Sequence, residues 1–186
     1  MDSKRNRVCP VERARSLDNR IRLWLQNPRK ILSPYIREGM IVLDVGCGPG
    51  FFSVEIARMV GPDGVVISAD LQEGMLEKLR RKIEGTELER RTRFVKCDED
   101  RINVKEKVDF ILAFYMVHEV PDRNSFFAQL KEVLKDGGQI LLIEPKLFHV
   151  SEKEFKLTTD IAGRHGFTIH QGPKVLFSRT AVLKSR

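Results

Sequence analysis

The residues best placed to do chemistry begin at Asp44-Val45-Gly46-Cys47-Gly48-Pro49-Gly50-Phe51, where an apolar run through Val42 and Leu43 breaks into glycines at alternate positions. Glycine reaches positive φ and has no Cβ, so a G-x-G-x-G turn bends the backbone sharply and lets a ligand touch the main chain. Asp70 lies 24 residues beyond Gly46, near the spacing at which an acid on the second strand of a nucleotide-binding sheet accepts from both ribose hydroxyls. Asp98, in Lys96-Cys97-Asp98-Glu99, follows a third apolar run and could accept a proton from an exocyclic adenine amine. A plainer reading stands beside each: a tight strand-to-helix connection for the glycines, a helix cap for Asp70, a loop acid for Asp98. A second cluster, Phe114-Tyr115-Met116-Val117-His118-Glu119, follows a fourth apolar run. His118 is the candidate general base and Tyr115 the candidate for positioning a substrate or facing a cation. The alternatives are a histidine that caps or packs the next helix and a ring that merely walls a pocket. Glu119 is a more remote candidate.

The elements that must position these groups follow from hydrophobic periodicity. From about residue 40 to 145, short runs rich in Val, Ile, Leu and Phe alternate with helical patterns, as in a parallel sheet covered by helices. Strands are expected at 41–45, 65–69, 94–97, 108–114 and 140–144, with a helix over 51–60 that Gly61-Pro62-Asp63-Gly64 ends. Met75, Leu76, Leu79 and Ile83 recur at helical spacing, and so do Phe126, Phe127, Leu130, Val133 and Leu134 behind Asp122 as N-cap, with Gly137-Gly138 as the stop. Ser151-Glu152-Lys153-Glu154 has the form of a capping box and opens a helix to about Gly163. Strands 167–171 and 175–183 are too close for a helical crossover and should pair as an antiparallel hairpin. Asn27-Pro28 reads as an N-cap with proline at the first helical position, leading a helix through Tyr35, and 16–25 reads as another helix. At the carboxyl edge of such a sheet the glycine loop, both acids and the Tyr115–Glu119 cluster would meet.

With 186 residues, 41% hydrophobic and 32% charged, the chain suits one domain: an N-terminal helical cap over 1–37 and a Rossmann-like domain over 38–186. No apolar run approaches the roughly 20 residues of a membrane span, so no membrane partner is expected. The basic first 15 residues lack the apolar core of a secretion signal, which points to the cytoplasm. Cys9, Cys47 and Cys97 form no C-x-x-C pair and are odd in number, against a disulfide framework and a zinc site, so no metal is expected. The net charge of +7 would suit an anionic partner, yet it is spread along the chain rather than packed into a tail.

Leu43-Asp44-Val45-Gly46-Cys47-Gly48-Pro49-Gly50 resembles the first motif of class I S-adenosylmethionine-dependent methyltransferases, and the resemblance continues through Asp70, Asp98, His118-Glu119-Val120 and the terminal hairpin, over about residues 38–183. It implies an α/β fold with a seven-stranded, mostly parallel sheet ending in an antiparallel hairpin, helices on both faces, and S-adenosylmethionine as cofactor. The implied cofactor residues are Gly46, Gly48 and Gly50 at the methionine portion, Asp70 at the ribose and Asp98 at the adenine. Asp44 would orient the loop or approach the cofactor's amino group, and Cys47, Leu71, Glu99 and Phe114 would complete the lining. Tyr115 and His118, from their place after the fourth apolar run, remain the catalytic candidates.

The branch most resembled methylates small molecules in quinone biosynthesis, so a small-molecule acceptor is expected, with RNA or protein open. An Asp/Asn-Pro-Pro-aromatic run, which the resemblance would require for amines of nucleic-acid bases, is replaced by Ala113-Phe114-Tyr115-Met116. A nicotinamide-dependent oxidoreductase shares the strand, turn and ribose acid. Phe51, however, stands where its fingerprint needs a third glycine, and the chain has no length for a second domain. A cofactor-binding module without catalysis is the other alternative. Asn19, Arg20 and Trp24 would either close over the cofactor as a lid or cover one face of the sheet.

Overall fold

The computed structural model describes residues 26–146 and 150–185. Cys9, the helix expected over 16–25 and the lid candidates Asn19, Arg20 and Trp24 lie outside the described residues. Asn27 opens the first helix, α1 (Pro28–Leu32), its side chain accepting from the Lys30 N–H at 3.0 Å. The helix ends three residues before the expected Tyr35, because Pro34 has no N–H to continue the ladder.

Beyond α1 the chain alternates as the periodicity requires. β1 (Ile41–Val45), α2 (Ser53–Met59), β2 (Val65–Asp70), α3 (Glu73–Ile83) and β3 (Thr92–Lys96) form the first half. β4 (Val108–Phe114), α4 (Arg123–Val133), β5 (Leu134–Pro145), α5 (Glu152–Arg164), β6 (Phe167–Gln171) and β7 (Ser178–Ser185) form the second. The strands make one seven-stranded sheet in the order β3-β2-β1-β4-β5-β7-β6. β1 through β5 pair in parallel, while β7 pairs antiparallel with both β5 and β6. The expected mixed sheet with its terminal hairpin is therefore present. Strand order reverses between β1 and β4, which opens a crevice at their carboxyl ends.

Successive strand residues feed opposite layers. Leu43, Ile67, Ile111 and Leu142 pack with Phe127 and Leu130 of α4 on one face. Val42, Val66, Leu112 and Leu141 pack with Ile56 of α2 and Leu79 of α3 on the other. Among the described residues no helix is long and apolar enough to cross a membrane.

Other boundaries also differ from expectation. β3 begins two residues early, because Thr92 pairs with Val66 and its hydroxyl bonds the Leu88 carbonyl at 2.8 Å. α4 stops at Val133 rather than at Gly137-Gly138, since buried Leu134 pairs with Val108 and a register shift follows there. The two glycines thus serve an irregular β arm and not a helix stop. β7 starts at Ser178, and residues 172–177 form the hairpin connection.

The caps are as read. Asp122 accepts from the Asn124 and Ser125 N–H groups, and Ser151 and Glu154 form a reciprocal capping box. Ser151→Ala is expected to cost about 1 kcal/mol of stability in a urea titration. An unchanged midpoint would mean that the box contributes nothing.

Candidate active site

β1 delivers Asp44 to the crevice edge, 2% exposed, where its carboxylate accepts from the Ser53 hydroxyl of α2 at 2.5 Å. This bond staples strand to helix across the glycine loop. The loop is also hooked onto β2, for the Gly46 and Cys47 N–H groups both donate to the Ala69 carbonyl, at 2.8 and 3.0 Å. Gly46, Gly48 and Gly50 all have positive φ, at 71°, 53° and 84°, yet they do different work. A Cβ on Gly46 would lie 2.8 Å from Met116 and one on Gly50 2.2 Å from Leu79, whereas one on Gly48 would meet nothing within 4 Å. Gly46 and Gly50 permit close packing, and Gly48 faces open space.

That space belongs to a cavity of about 790 Å³, within the range of small-molecule sites. Of the positions singled out from sequence, Asp44, Gly46, Cys47, Gly48, Asp70 and Leu71 line it on the β1 and β2 side, and Asp98, Glu99, Phe114 and Tyr115 line it elsewhere. Gly50 and His118 are not among its lining residues. Asp70 is 7% exposed, and its two oxygens accept from the Gly48 and Gln72 N–H groups, both at 2.8 Å. Burial pushes its carboxyl above the usual value, against the pull of those two bonds and of Lys96. Asp70 is thus neither solvent-exposed nor the N-cap of α3, which is Gln72; an ionised carboxylate has about four acceptor positions, and the two N–H groups use one on each oxygen.

Asp98 is exposed on a loop closed by its N–H to the Arg101 carbonyl, 2.8 Å, and by the Asn103 amide on its carboxylate, 3.0 Å. Gln129 of α4 holds this loop from the other side, accepting from the Ile102 N–H at 3.0 Å and donating to the Asp100 carbonyl at 2.8 Å. Gln129 went unread, since nothing local marks one polar helix residue as a clamp.

The wall beside the glycine loop is aromatic. Phe52 and Phe114 have ring centroids 4.3 Å apart, and Phe114 and Tyr115 4.2 Å. Phe51 and Phe52, unread as site residues, both line the cavity, and their place directly after the last glycine was the available signal. Tyr115 adopts a positive φ of 57°, an unusual conformation for a bulky residue. Its hydroxyl accepts from the Gln26 amide at 2.8 Å and shares a hydrogen bond with Ser178 at 2.6 Å.

His118 sits behind the wall. Its Nδ1 is 2.5 Å from Oε2 of Glu144, which is 1% exposed and whose Oε1 accepts from the Val117 N–H at 2.9 Å. Burial disfavours the charged imidazole, but the hydrogen bond and charge of Glu144, with Glu119 behind, outweigh it and raise the pKa above the ordinary histidine value. Glu119 does line the cavity. Glu144 went unread, although an acid closing the apolar run 140–143 is a visible anomaly.

Residues 36–172 match the protein family described as Methyltransferase domain. A ubiquinone/menaquinone biosynthesis C-methyltransferase UbiE of Marinomonas sp. (strain MWYL1) is 28% identical over 149 residues, covering 80% of this chain and 57% of that protein. Its counterpart in Idiomarina loihiensis is 30% identical over 110 residues, 59% of this chain and 44% of that one. The chain thus spans about half the length of the curated relatives it matches. A crystal structure of a SAM dependent methyltransferase from Aquifex aeolicus superposes with a TM-score of 0.82 at 27% identity, covering 95% of this chain and 98% of that one.

Both described cysteines are buried at the cavity. Burial, with Asp70 adding, pushes the Cys97 thiol up to about 12, and burial followed by the nearby Asp44 raises Cys47 well above the usual range. Thiolates are the reactive form. Iodoacetamide at pH 8 should therefore leave Cys47 and Cys97 unmodified in the native chain and label both in guanidinium, by peptide mass spectrometry. Rapid native labelling of either would contradict this burial.

Proposed function

The chain belongs to the methyltransferase domain family, and on that footing we propose that it transfers a methyl group from S-adenosylmethionine to a small aromatic acceptor of the quinone type. The observation that carries this reading is the pairing of Gly48, whose Cβ position is empty, with the Asp70 carboxylate on one cavity wall.

The residues present fit that cofactor. Asp70 has acceptor positions for two ribose hydroxyls, and Gly48 leaves the backbone open to close approach. Asp98, steadied by Asn103, is the acceptor for an adenine amine. The Phe52, Phe114 and Tyr115 rings line the same cavity, where a ring face against a desolvated sulfonium would contribute about 2 kcal/mol. S-Adenosylmethionine, when bound, supplies a methyl already activated for in-line displacement. What is left to the protein is alignment and the exclusion of water. Tyr115, tied to Gln26 and Ser178, holds its ring fixed at the cavity wall for an acceptor to pack on. The quinone type is taken from the names of the relatives and is supported by these planar rings, which suit stacking on a planar acceptor.

Asp70→Ala and Gly48→Val should each weaken S-adenosylmethionine binding about 100-fold or more by calorimetry, roughly 2.7 kcal/mol. Wild-type affinity in both variants would remove the case for this site. Methyl-labelled cofactor supplied with lipid, RNA and protein pools should label the lipid fraction, and label confined to RNA or protein would overturn the acceptor class.

A further inference from the structure

We propose that Glu119, on the cavity wall, receives the proton that the acceptor gives up, and that His118 and Glu144 behind it form the pair that positions and drains it. This deepens the methyl-transfer reading and rests on it. Three side chains run in series from core to cavity. Glu144 is 1% exposed, its Oε2 lies 2.5 Å from His118 Nδ1, and His118 Nε2 lies 3.9 Å from Glu119 Oε1. Glu144 is held at both oxygens, because its Oε1 takes the Val117 N–H. A carboxylate fixed on Nδ1 keeps the Nδ1 proton in place and sets Nε2 as the titrating position, toward Glu119.

Capping the turn after β4 needs no charge, and a buried carboxylate is costly unless a cation or a strong donor faces it. The placement of this pair directly behind a cavity-wall acid is what a proton path requires. A general base must also reach the acceptor, and of the two acids Glu119 alone lines the cavity. In the step, a bond forms between the acceptor atom and the methyl carbon while the carbon–sulfur bond breaks and leaves its electron pair on sulfur. The acceptor's proton goes to a Glu119 oxygen and then, once that carboxylate swings from 3.9 Å to hydrogen-bond distance, to Nε2 of neutral His118, whose imidazolium form Glu144 stabilises. Glu119 is thus the catalytic residue, and His118 and Glu144 are positioning residues.

Among the described residues, the charges facing His118 are Glu144 of β5, Glu119 on its own turn, Arg123 of α4 and Glu154 of α5. Of these, Arg123 opposes protonation. The relay needs neutral His118, so transfer should rise with pH through the raised imidazole pKa. Without the Glu144 charge that rise should move to lower pH.

The test follows the His118 ring proton by NMR and measures transfer from methyl-labelled S-adenosylmethionine to anaerobic naphthalene-1,4-diol and to lipid, RNA and protein pools. Glu119→Gln should bind cofactor within twofold of wild type while transfer falls about 100-fold. Glu144→Gln, whose amide oxygen can still take the Val117 N–H, should shift both the His118 titration and the rising limb of the rate down by about one pH unit. Wild-type transfer by Glu119→Gln overturns the proposal, as does an unmoved titration or limb in a folded Glu144→Gln. Should Glu144→Gln fail to fold, the Glu119→Gln result decides alone. A wild-type chain that binds cofactor but labels no acceptor overturns the methyl-transfer reading and this relay together, whereas transfer at an undiminished rate in Glu119→Gln overturns the relay only.

Discussion

The site depends on one short contact: the Gly48 N–H donating to the Asp70 carboxylate at 2.8 Å. It joins the loop after β1 to the end of β2, and the hooks from Gly46 and Cys47 onto the Ala69 carbonyl reinforce it. The loop holds three residues at positive φ, a conformation that glycine adopts at least cost. Burying a carboxylate at 7% exposure is unfavourable, and the two backbone donors, with the Lys96 charge, are set against that cost. The same carboxylate that fixes the loop therefore presents charge to the cavity.

The rest of the structure acts to keep that contact aligned. Asp44 and Ser53 staple β1 to α2, Leu79 of α3 fills the space that a side chain on Gly50 would take, and Met116 does the same at Gly46. Parallel pairing of β1 with both β2 and β4 brings Asp70 and the Phe114–Glu119 turn to the same sheet edge. Gln129 reaches from α4 to clamp the loop that carries Asp98. Apart from the Asp44–Ser53 staple, each is a long-range contact whose purpose is visible only at the crevice.

What could be read from sequence was local or periodic. The strands β1 and β4 have the expected limits, and Asp122 and Ser151 cap as their spacing required, because caps and alternation act within a few residues. Gly137-Gly138 misled, since a glycine pair serves a helix stop and an irregular strand equally well, and the pairing of Leu134 with Val108 decided between them. Gly50 and Gly48 are indistinguishable in the motif. Only the packing of Leu79 separates the glycine that fits a side chain from the one that fronts the cavity. His118 was legible as a chemical group, but its partner Glu144 is 26 residues away on the neighbouring strand. No short-range pattern carries that pairing.

A crystal structure of the chain with S-adenosylhomocysteine tests the account most directly. Both ribose hydroxyls are expected on the Asp70 carboxylate, the ligand backbone-close at Gly48, and the sulfur beside the Phe114 and Tyr115 rings. A ligand seated away from Asp70, or an Asp70 carboxylate left facing only its two backbone donors, would contradict it.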